Sequence, residues 1–382
     1  MALVTVKTTD VASLVNSATS SILGRSDVLT EDLANVIDVG TALANANAYK
    51  TFVDNLLMRI GKTVFVSRVY TGGAPKIYRD NFEYAQITQK LRAKLDEAKI
   101  NQSWALVTGT TYSDNEYVES QISCKIFKQD DAFEIRKSIT KDQIKAAFTS
   151  ANELGNFISM LETMVQNSIQ VKMDSLTMMT INNFTAEVMN NETAKPNTSI
   201  NLLKAYNALK GTTLTADQCI YDRGFLQYAT GVIKKYQKKI QKYSTLFNQT
   251  ATQTFTPKEK QHLVLLEEFS ENCDTYLAAD TWHDEFVKLP YSDTVSAWQG
   301  TGTDNSFSSC SSINVSTASG SKVSKSGIIG VLFDHDALGI TKDEPTIEVN
   351  YIHSGQFYNY WYKEHVMYFN DLDENFIVFY VA

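Results

Sequence analysis

DQIKAAFTSANELGNFISMLETMVQNSIQVKMDSLTMMTINNFTAEVM, residues 142–189, is the stretch from which the rest of the chain is interpreted. It contains no proline, and its single glycine, Gly155, lies near its beginning. Apolar or small side chains recur at spacings of three and four residues, which is the stripe of an amphipathic helix. The pattern therefore predicts a helix over residues 153–189. Its stripe consists of Leu154, Ile158, Leu161, Val165, Ile169, Met173, Leu176 and Thr180.

Sequence signals mark both ends of this helix. Asn152 and Glu153 provide a start or restart, and the Asn190–Asn191 pair followed by Pro196 provides a stop. The helix would be roughly 55 Å long at about 1.5 Å per residue, far longer than the globular mean of about 11–12 residues. A long core helix of an ordinary α+β protein is the simpler interpretation, and only the flanking segments bear against it.

Composition describes a folded chain of moderate acidity. Its 382 residues, 43% hydrophobic and 20% charged, suffice for two or three domains with real cores. The net charge of −8 argues against a dedicated nucleic-acid binder, which usually carries a basic surplus. It does not argue against a protein that encloses nucleic acid.

Cysteine usage and hydropathy bear on the compartment. The four cysteines form no CxxC pair, so we expect reduced thiols in a cytosol-like environment. Lys7 and Asp10 interrupt the apolar runs at the N-terminus, which predicts no signal peptide. No run approaches about 18 apolar residues, so no membrane span is expected. The cysteines are Cys124, Cys219, Cys273 and Cys310.

The segments before the long helix predict an arm and a hairpin. Residues 1–45 are polar, with short helical pieces, and residues 49–60 form a better helix. Alternation in KTVFVSRVY (62–70) and VESQISCKIFKQ (118–129) predicts two strands, with a charged helix at 86–100 between them. A hairpin with so long an excursion cannot bury much of itself, so we expect it to lie on a neighbouring molecule.

The segments after the long helix predict a compact α/β domain and two closing strands. Helices are expected at 200–209, at 224–247 and at 270–287, the last capped by Ser270 with Cys273, Tyr276, Leu277 and Phe286 inward. Strands are expected for CIYDR (219–223) and HLVLLEEF (262–269), followed by a glycine- and serine-rich loop at 299–312. GQFYNYWYKEHVMYF (355–369) and NFIVFYVA (375–382) close the chain as strands around a turn at 370–375.

Two carboxylate clusters are candidate metal ligands, because oxygen donors suit hard cations. Asp334, His335 and Asp336 follow an apolar run, and Asp371, Asp373 and Glu374 occupy the last turn. The second cluster lacks the spacing of a calcium loop, so turn-forming residues are the better interpretation. A structural metal at the first is a minority interpretation.

Other motifs are weaker still. Gly300-Thr301-Gly302-Thr303 resembles part of a phosphate loop, but no GK[ST] follows and no GxGxxG is completed. Cys310 has no histidine placed near it by the sequence. The sequence therefore assigns no catalytic, cofactor-binding or metal-binding residue, and we predict a protein that assembles and has no enzymatic activity and no cofactor. The five scattered histidines are His262, His283, His335, His353 and His365.

One electrostatic feature is functionally suggestive. A lysine stripe on the helix predicted at 224–247 is able to meet phosphates, although a solvated amphipathic face is the simpler interpretation. It consists of Lys234, Lys235, Lys238, Lys239 and Lys242.

The order of these parts resembles the major capsid proteins of tailed bacteriophages, which share the HK97-type fold. The segments that carry the resemblance look like the podophage, phi29-like branch, and together they cover nearly the whole chain. They are YKTFVDNLLMRIGKTVFVSRVY, AFTSANELGNFISMLETMVQNSIQ, LVLLEEFSENCDTYLAADTWHDEFVKLPYSDTVSAWQGTGTD, GIIGVLFDHDALGI and QFYNYWYKEHVMYFNDLDENFIVFYVA.

The resemblance implies an α+β subunit of an icosahedral shell around double-stranded DNA. It divides the chain into an N-terminal arm (1–60), an E-loop hairpin (61–135), a P-domain spine helix (136–194), an inserted α/β A-domain (195–335) and C-terminal P-domain strands (336–382). It implies hexamers and pentamers of the chain, with a separate scaffolding protein, a portal and possible decoration proteins as partners. The expected location is the virion, after assembly in the host bacterial cytoplasm.

Two alternatives stay open at this point. One is an encapsulin-like shell of a cellular compartment, which has the same fold and an enzyme as cargo. The other is an enzyme of unknown type that uses Asp334, His335 and Asp336.

Overall fold

A computed structural model of the chain describes residues 12–13, 15–16, 18–19, 29–30, 34–45, 52, 74–75, 77, 88–93, 107–110, 119, 122–127, 130–140, 151–278, 292–299, 304, 306–317, 320–342 and 346–382. Several predictions lie outside these residues: the strand at 62–70, all but Phe52 of the helix at 49–60, the second half of the helix at 270–287 and the loop at 300–303.

The predicted long helix is confirmed. Helix α2 runs over Ala151–Asn190, 40 residues, and follows the short helix α1 (Val36–Asn45). Val165 is half-buried, and the side chains of Leu154, Ile158 and Leu161 are not among those that the structure describes. The rest of the predicted stripe is buried, namely Ile169, Met173, Leu176 and Thr180.

Beyond Thr180 the helix is buried more widely than a single stripe predicts. Ile181, Phe184 and Val188 are all buried. The buried hydroxyls of Thr180 and Thr185 donate to the carbonyls four residues earlier, at 2.8 and 2.9 Å, so their burial leaves no unpaired donor. The cause is tertiary, because Phe376 packs against Phe184 and the Asn370 side chain donates to the Thr180 carbonyl, so that distant strands cover this half of α2.

A five-stranded sheet lies against one side of α2. Its strands are β4 (Ser199–Asn201), β5 (Gln261–Leu266), β6 (Asp293–Val295), β9 (Ile328–Asp334) and β13 (Phe376–Tyr380). Their order in the sheet is β4-β13-β9-β5-β6, with the outer pairs parallel and the inner pairs antiparallel.

Both faces of this sheet are covered, which explains why β9 and β13 are buried along their whole length and, apart from Asp334 at the end of β9, consist mainly of apolar residues. On one face Phe376 packs against Phe184 of α2, with ring centroids 4.1 Å apart. On the other, Phe379 meets Tyr236 at 5.9 Å. Helices α3 (Leu202–Lys210), α5 (Arg223–Lys239) and α6 (Glu267–Ala278) form this second layer.

The helix at 200–209 is confirmed, but several other predictions in this region are wrong. CIYDR (219–223) is not a strand: it joins helix α4 (Ala216–Cys219) to α5. Local hydrogen bonds decide this, since Thr215 and Gln218 form a capping box and Asp222 caps α5 through the Phe225 amide at 2.7 Å.

The other errors concern the limits of elements and the orientation of one side chain, and the strand predicted at 262–269 ends at Leu266. Helix α5 ends at Lys239, so the predicted extension to residue 247 is a series of turns and bends. Helix α6 begins at Glu267 instead of after Ser270, and Tyr276 is 40% exposed instead of inward. Cys273 is buried as predicted.

A second sheet is built on the C-terminal strand β12 (Phe357–Asn370), which the sequence predicts. Strand β3 (Asp130–Thr140) pairs with one edge of β12, and β11 (Thr346–Ile352) and β10 (Leu338–Lys342) pair with the other edge in succession. Every one of these pairs is antiparallel. Strand β3 continues through residues 135 and 136, where the resemblance places a domain boundary.

Two small hairpins lie outside these two sheets. Strands β7 (Ile313–Ser316) and β8 (Lys322–Lys325) follow the short helix α7 (Phe307–Cys310). Strands β1 (Thr88–Ala93) and β2 (Ile122–Phe127) form the other hairpin. The strand within 118–129 is thus confirmed, whereas the helix at 86–100 is wrong over residues 88–93. None of the described helices combines the length and apolarity needed to cross a bilayer.

Candidate functional site

The hairpin of β1 and β2 has two chemically different faces. Alternation in the strands places Lys90 and Arg92 on one face, and Lys90 lies directly opposite Lys125 in the ladder. Two like charges in a directly opposed pair repel each other, so this face needs a source of negative charge. The other face carries Leu91, Ile122 and Ile126.

The last turn of the chain supplies that negative charge. Lys90 Nζ donates to Asp371 Oδ2 at 2.7 Å and also pairs with Glu374. Lys125 Nζ donates to Asp371 Oδ1 at 2.9 Å and pairs with Asp373, and Arg92 pairs with Glu374. We call these residues the ion-pair cluster: Lys90, Arg92, Lys125, Asp371, Asp373 and Glu374.

Burial distinguishes the ion-pair cluster from a surface salt bridge, because the loss of one partner would leave a buried charge uncompensated. The side chains of Asp371 and Glu374 are 1% and 5% exposed. Burial raises the pKa of Asp371, but the hydrogen bonds and charges of Lys90 and Lys125 outweigh it and hold that pKa below its usual value. Burial lowers the pKa of Lys125, but the hydrogen bonds and charges of Asp373 and Asp371 outweigh it and raise that pKa above its usual value. Asp371 and Lys125 are therefore both charged near neutral pH.

The pKa of Asp371 gives a pH prediction. Because this pKa is lowered by folding, its contribution to stability is fully present above the unfolded value of about 3.9 and is lost as pH falls through the folded value. We expect the difference in unfolding free energy between wild type and Asp371→Asn to be constant above about pH 4 and to shrink below it. Chemical denaturation at a series of pH values measures this difference. A difference that stays constant into strong acid would show that Asp371 is not held ionised by the lysines.

The sequence predicts the turn at 370–375 but not the ion pairs that its acidic residues form with the hairpin. Asp371, Asp373 and Glu374 are turn residues as predicted, with the Asp371 carboxylate accepting from the Asp373 amide at 3.1 Å. Their partners on the hairpin lie 246 to 284 residues away. The only sequence signal for the site is the alternation of Lys90 with Arg92, which is typical of a strand. The helix predicted at 86–100 takes no account of it.

A buried polar network lies next to the ion-pair cluster and contains Asp334. Thr256 Oγ1 donates to Asp334 Oδ2 at 2.6 Å, and the Asp336 amide donates to Asp334 Oδ1 at 2.8 Å. Asn375 Nδ2 in turn donates to Thr256 Oγ1 at 3.0 Å. Burial raises the pKa of Asp334 despite these hydrogen bonds. Through its two hydrogen bonds, the Asp334 carboxyl group stabilises the turn between β9 and β10 and links it to Thr256.

The other members of the first carboxylate cluster have separate partners. His335 lies 3.1 Å from His262, measured between Nδ1 and Nε2, and its amide donates to the Lys260 carbonyl at 2.7 Å. Asp336 Oδ2 accepts from Lys260 Nζ at 2.8 Å. Within the described residues there is no group of three or more histidine, cysteine or acidic side chains that could hold a metal ion.

Cys310 lies at the end of α7, where Asp304 and Glu268 are close enough to influence it. Burial, followed by the charges of Glu268 and Asp304, raises the pKa of its thiol. A raised pKa disfavours the thiolate, which is the nucleophilic form.

The lysine stripe is the remaining candidate from the sequence. Its five lysines all line one cavity of about 830 Å³ beside α5, although Lys242 lies beyond the end of that helix. The ion-pair cluster and the lysine cavity are thus two separate features of the described structure.

Comparisons with known proteins agree with the resemblance. A family model described as Phi29-like phage major capsid protein matches residues 12–380. The capsid structure of Staphylococcus phage Andhra matches with a TM-score of 0.52 at 9% identity, covering 82% of this chain and 86% of that chain. The capsid structure of the cyanophage P-SCSP1u matches with a TM-score of 0.43 at 12% identity, covering 83% and 92%. A search of curated proteins found no match.

Proposed function

We propose how this subunit contacts its neighbours in a shell, starting from the fact that the chain belongs to the family of Phi29-like phage major capsid proteins. It is a capsid shell protein of the virion, with the α+β architecture of the HK97-type fold, and both predictions are confirmed. The family implies a structural role. The comparisons give no support to the cellular compartment or to the enzyme.

The proposal is that the exposed face of the β1–β2 hairpin is covered by a neighbouring subunit of the shell. Leu91, Ile122 and Ile126 are 67%, 68% and 64% exposed, which is unusual for three large aliphatic side chains on one face. This is the observation that carries the proposal. Full burial of each such side chain is favourable by about 1.5–3 kcal/mol of free energy.

The ion-pair cluster determines which face is available. Since Lys90, Arg92 and Lys125 hold the opposite face against the last turn of the same chain, the apolar face is turned away from its own subunit. Phe127 adds to this attachment by stacking on Phe369 at 4.8 Å. In a symmetric shell every copy presents the same face to an equivalent neighbour, so one patch is used many times.

The division of the chain follows the resemblance, and it too is a proposal. It gives an N-terminal arm (1–60), an E-loop (61–135), a spine helix (136–194), an A-domain (195–335) and C-terminal strands (336–382). The pairing of β3 with β12 supports grouping residues 130–140 with the C-terminal strands instead of dividing them at 135.

The partners of the subunit and its mode of assembly are also proposals. Self-association in a shell follows from the family, whereas a separate scaffolding protein, a portal and decoration proteins are proposed from the resemblance. So are the hexamers and pentamers, the assembly in the host cytoplasm and the absence of catalytic activity.

The test is the double variant Leu91→Glu with Ile126→Glu, produced as the full chain under conditions where wild type forms particles. We expect soluble subunits with an unchanged thermal midpoint, because both side chains are exposed in the subunit, and no closed particles by negative-stain electron microscopy. The matched control is Leu91→Met with Ile126→Val, which keeps both positions apolar and is expected to assemble. Normal particles from the glutamate variant would overturn the proposal.

A further inference from the structure

One segment of this acidic chain is entirely free of acidic residues. The chain carries a net charge of −8, yet residues 223–258 contain no aspartate and no glutamate. The same segment contains Arg223, Lys258 and all five lysines of the stripe. Positive charge is therefore concentrated in one part of the subunit.

The fold turns these lysines toward a concave surface. Helix α5 buries Phe225, Leu226, Ala229 and Ile233 toward the sheet, so that its opposite side faces outward. There the five lysines line a cavity of about 830 Å³, together with Leu246 and Phe247 from the segment after the helix. We call this surface the lysine groove: Lys234, Lys235, Lys238, Lys239, Lys242, Leu246 and Phe247.

Among the described residues, the like charges of the lysine groove repel one another. Lys234 and Lys238, like Lys235 and Lys239, are four residues apart on α5, where like charges repel. Burial also lowers the pKa of Lys234. The helix dipole favours cations only in the last turn, which accounts for Lys238 and Lys239 but not for the others.

Compensation within the described structure is small. Lys235, Lys238, Lys239 and Lys242 take part in none of the ion pairs formed between described residues. Lys239 has one favourable contact, with its ammonium 4.8 Å from the centroid of the Tyr236 ring. An external anion would remove the repulsion.

We propose that the lysine groove binds the phosphate backbone of the duplex DNA enclosed by the shell. This inference rests on the proposed function, since the enclosed genome is the polyanion that every subunit meets. Duplex DNA carries one negative charge per about 1.7 Å of its axis, and lysines one helical turn apart, about 5–6 Å, are able to follow such a row. Lysine acts on phosphate as a point charge, so the binding is independent of base sequence.

A protein partner with acidic side chains is the competing occupant. Specific protein interfaces usually bury aromatic or arginine anchors and deplete lysine, whereas the charged lining of the groove consists of lysine alone. The lining therefore favours a repeating anion such as the DNA backbone.

The experiment measures binding of the full-length soluble subunit to a random-sequence duplex of about 20 base pairs, by fluorescence anisotropy over a range of salt. The test variant carries Lys235→Gln, Lys238→Gln, Lys239→Gln and Lys242→Gln. The matched control carries Lys195→Gln, Lys204→Gln, Lys210→Gln and Lys322→Gln, which remove the same charge elsewhere. We expect the test variant to lose at least about tenfold in affinity at low salt and its salt slope to fall by about 3.6, while the control stays within about twofold.

Either of two results would overturn the inference. One is equal loss in the test and control variants, which would make DNA binding a general effect of charge. The other is unchanged DNA binding in the test variant, and if that variant also fails to form particles, the groove is a protein contact. Failure of the hairpin proposal is distinguishable, because it is scored by particle formation of the Leu91 and Ile126 variants and not by DNA affinity.

Discussion

Gly327→Ala is expected to destabilise the folded subunit by about 4 kcal/mol or more, which places it among the most damaging single substitutions. Gly327 has a φ of +81°, a left-handed conformation that L residues rarely adopt. An added Cβ would lie 2.0 Å from the carbonyl oxygen of Val381, far inside contact distance. Because that atom belongs to the backbone, no side-chain rotation relieves the clash.

The position matters because Gly327 joins three parts of the fold. Its amide donates to Ser311 Oγ at 2.9 Å, and its carbonyl accepts from the Val381 amide at 2.8 Å. Displacing Gly327 therefore disturbs the start of β9 and the end of the chain together. Strands β9 and β13 are neighbours in the five-stranded sheet, so we expect mainly insoluble protein.

Gly320→Ala is the matched control for this prediction. Gly320 has a similar φ of +83°, but an added Cβ there meets nothing within 4 Å. Its cost is therefore only that of the left-handed conformation, about 1–2 kcal/mol. Soluble yield and the denaturation midpoint of both variants measure the difference, and equal losses would show that the clash at Val381 is absent.

Lys90→Met is expected to lower the free energy of unfolding by about 3 kcal/mol, because it removes one partner from a buried ion pair. Lys90 contacts Asp371 at 2.7 Å and Glu374, and also donates to the Asp336 carbonyl at 3.1 Å. Without it two buried carboxylates share the remaining cations, Lys125 and Arg92. Such under-compensated charge costs far more than the pair contributes when complete.

Lys363→Met is the comparison for Lys90→Met. Lys363 Nζ pairs with Glu348 at 2.6 Å, but these side chains are 39% and 57% exposed. A solvated pair contributes about 0–1 kcal/mol, so this variant should unfold almost like wild type. Urea denaturation of both variants measures the contrast. Similar losses would mean that water reaches Asp371 and Glu374 and that the ion-pair cluster does not attach the hairpin.

Particle formation by Lys90→Met separates stability from assembly. If the ion-pair cluster orients the hairpin, the surviving soluble variant should yield fewer closed particles than Lys363→Met under the same conditions. Two variants with equal particle yields would indicate that the cluster stabilises the subunit without orienting the hairpin.

Much of the fold could be predicted because its signals are local. The spacing from Ile169 to Thr180 fixes the phase of α2, and the Asn190–Asn191 pair marks its end. Strands β12 and β13 are long enough, and sufficiently rich in aromatic and β-branched residues, to be recognised alone. The resemblance to capsid proteins rests on the same segments and their order.

The errors occur where distant contacts overrule local preference. Residues 88–93 (TQKLRA) favour a helix by composition, yet they form a strand, with Lys90 and Arg92 on the face that meets buried carboxylates. At 219–223 the opposite happens, since capping by Thr215 and Asp222 makes an apparent strand the junction of two helices. Neither cap is evident from hydrophobic pattern alone.

The sequence by itself thus determined the α+β class, the long helix, the closing strands and the concentration of lysines at 234–242, because each depends on residues close together in the chain. The tertiary structure alone decided how Lys90, Arg92 and Lys125 meet Asp371, Asp373 and Glu374, which side of the hairpin remains apolar and exposed, and that the five lysines line a single cavity. The reason is physical: charge pairing and burial depend on distances in space, and no local pattern encodes a contact between residues 90 and 371.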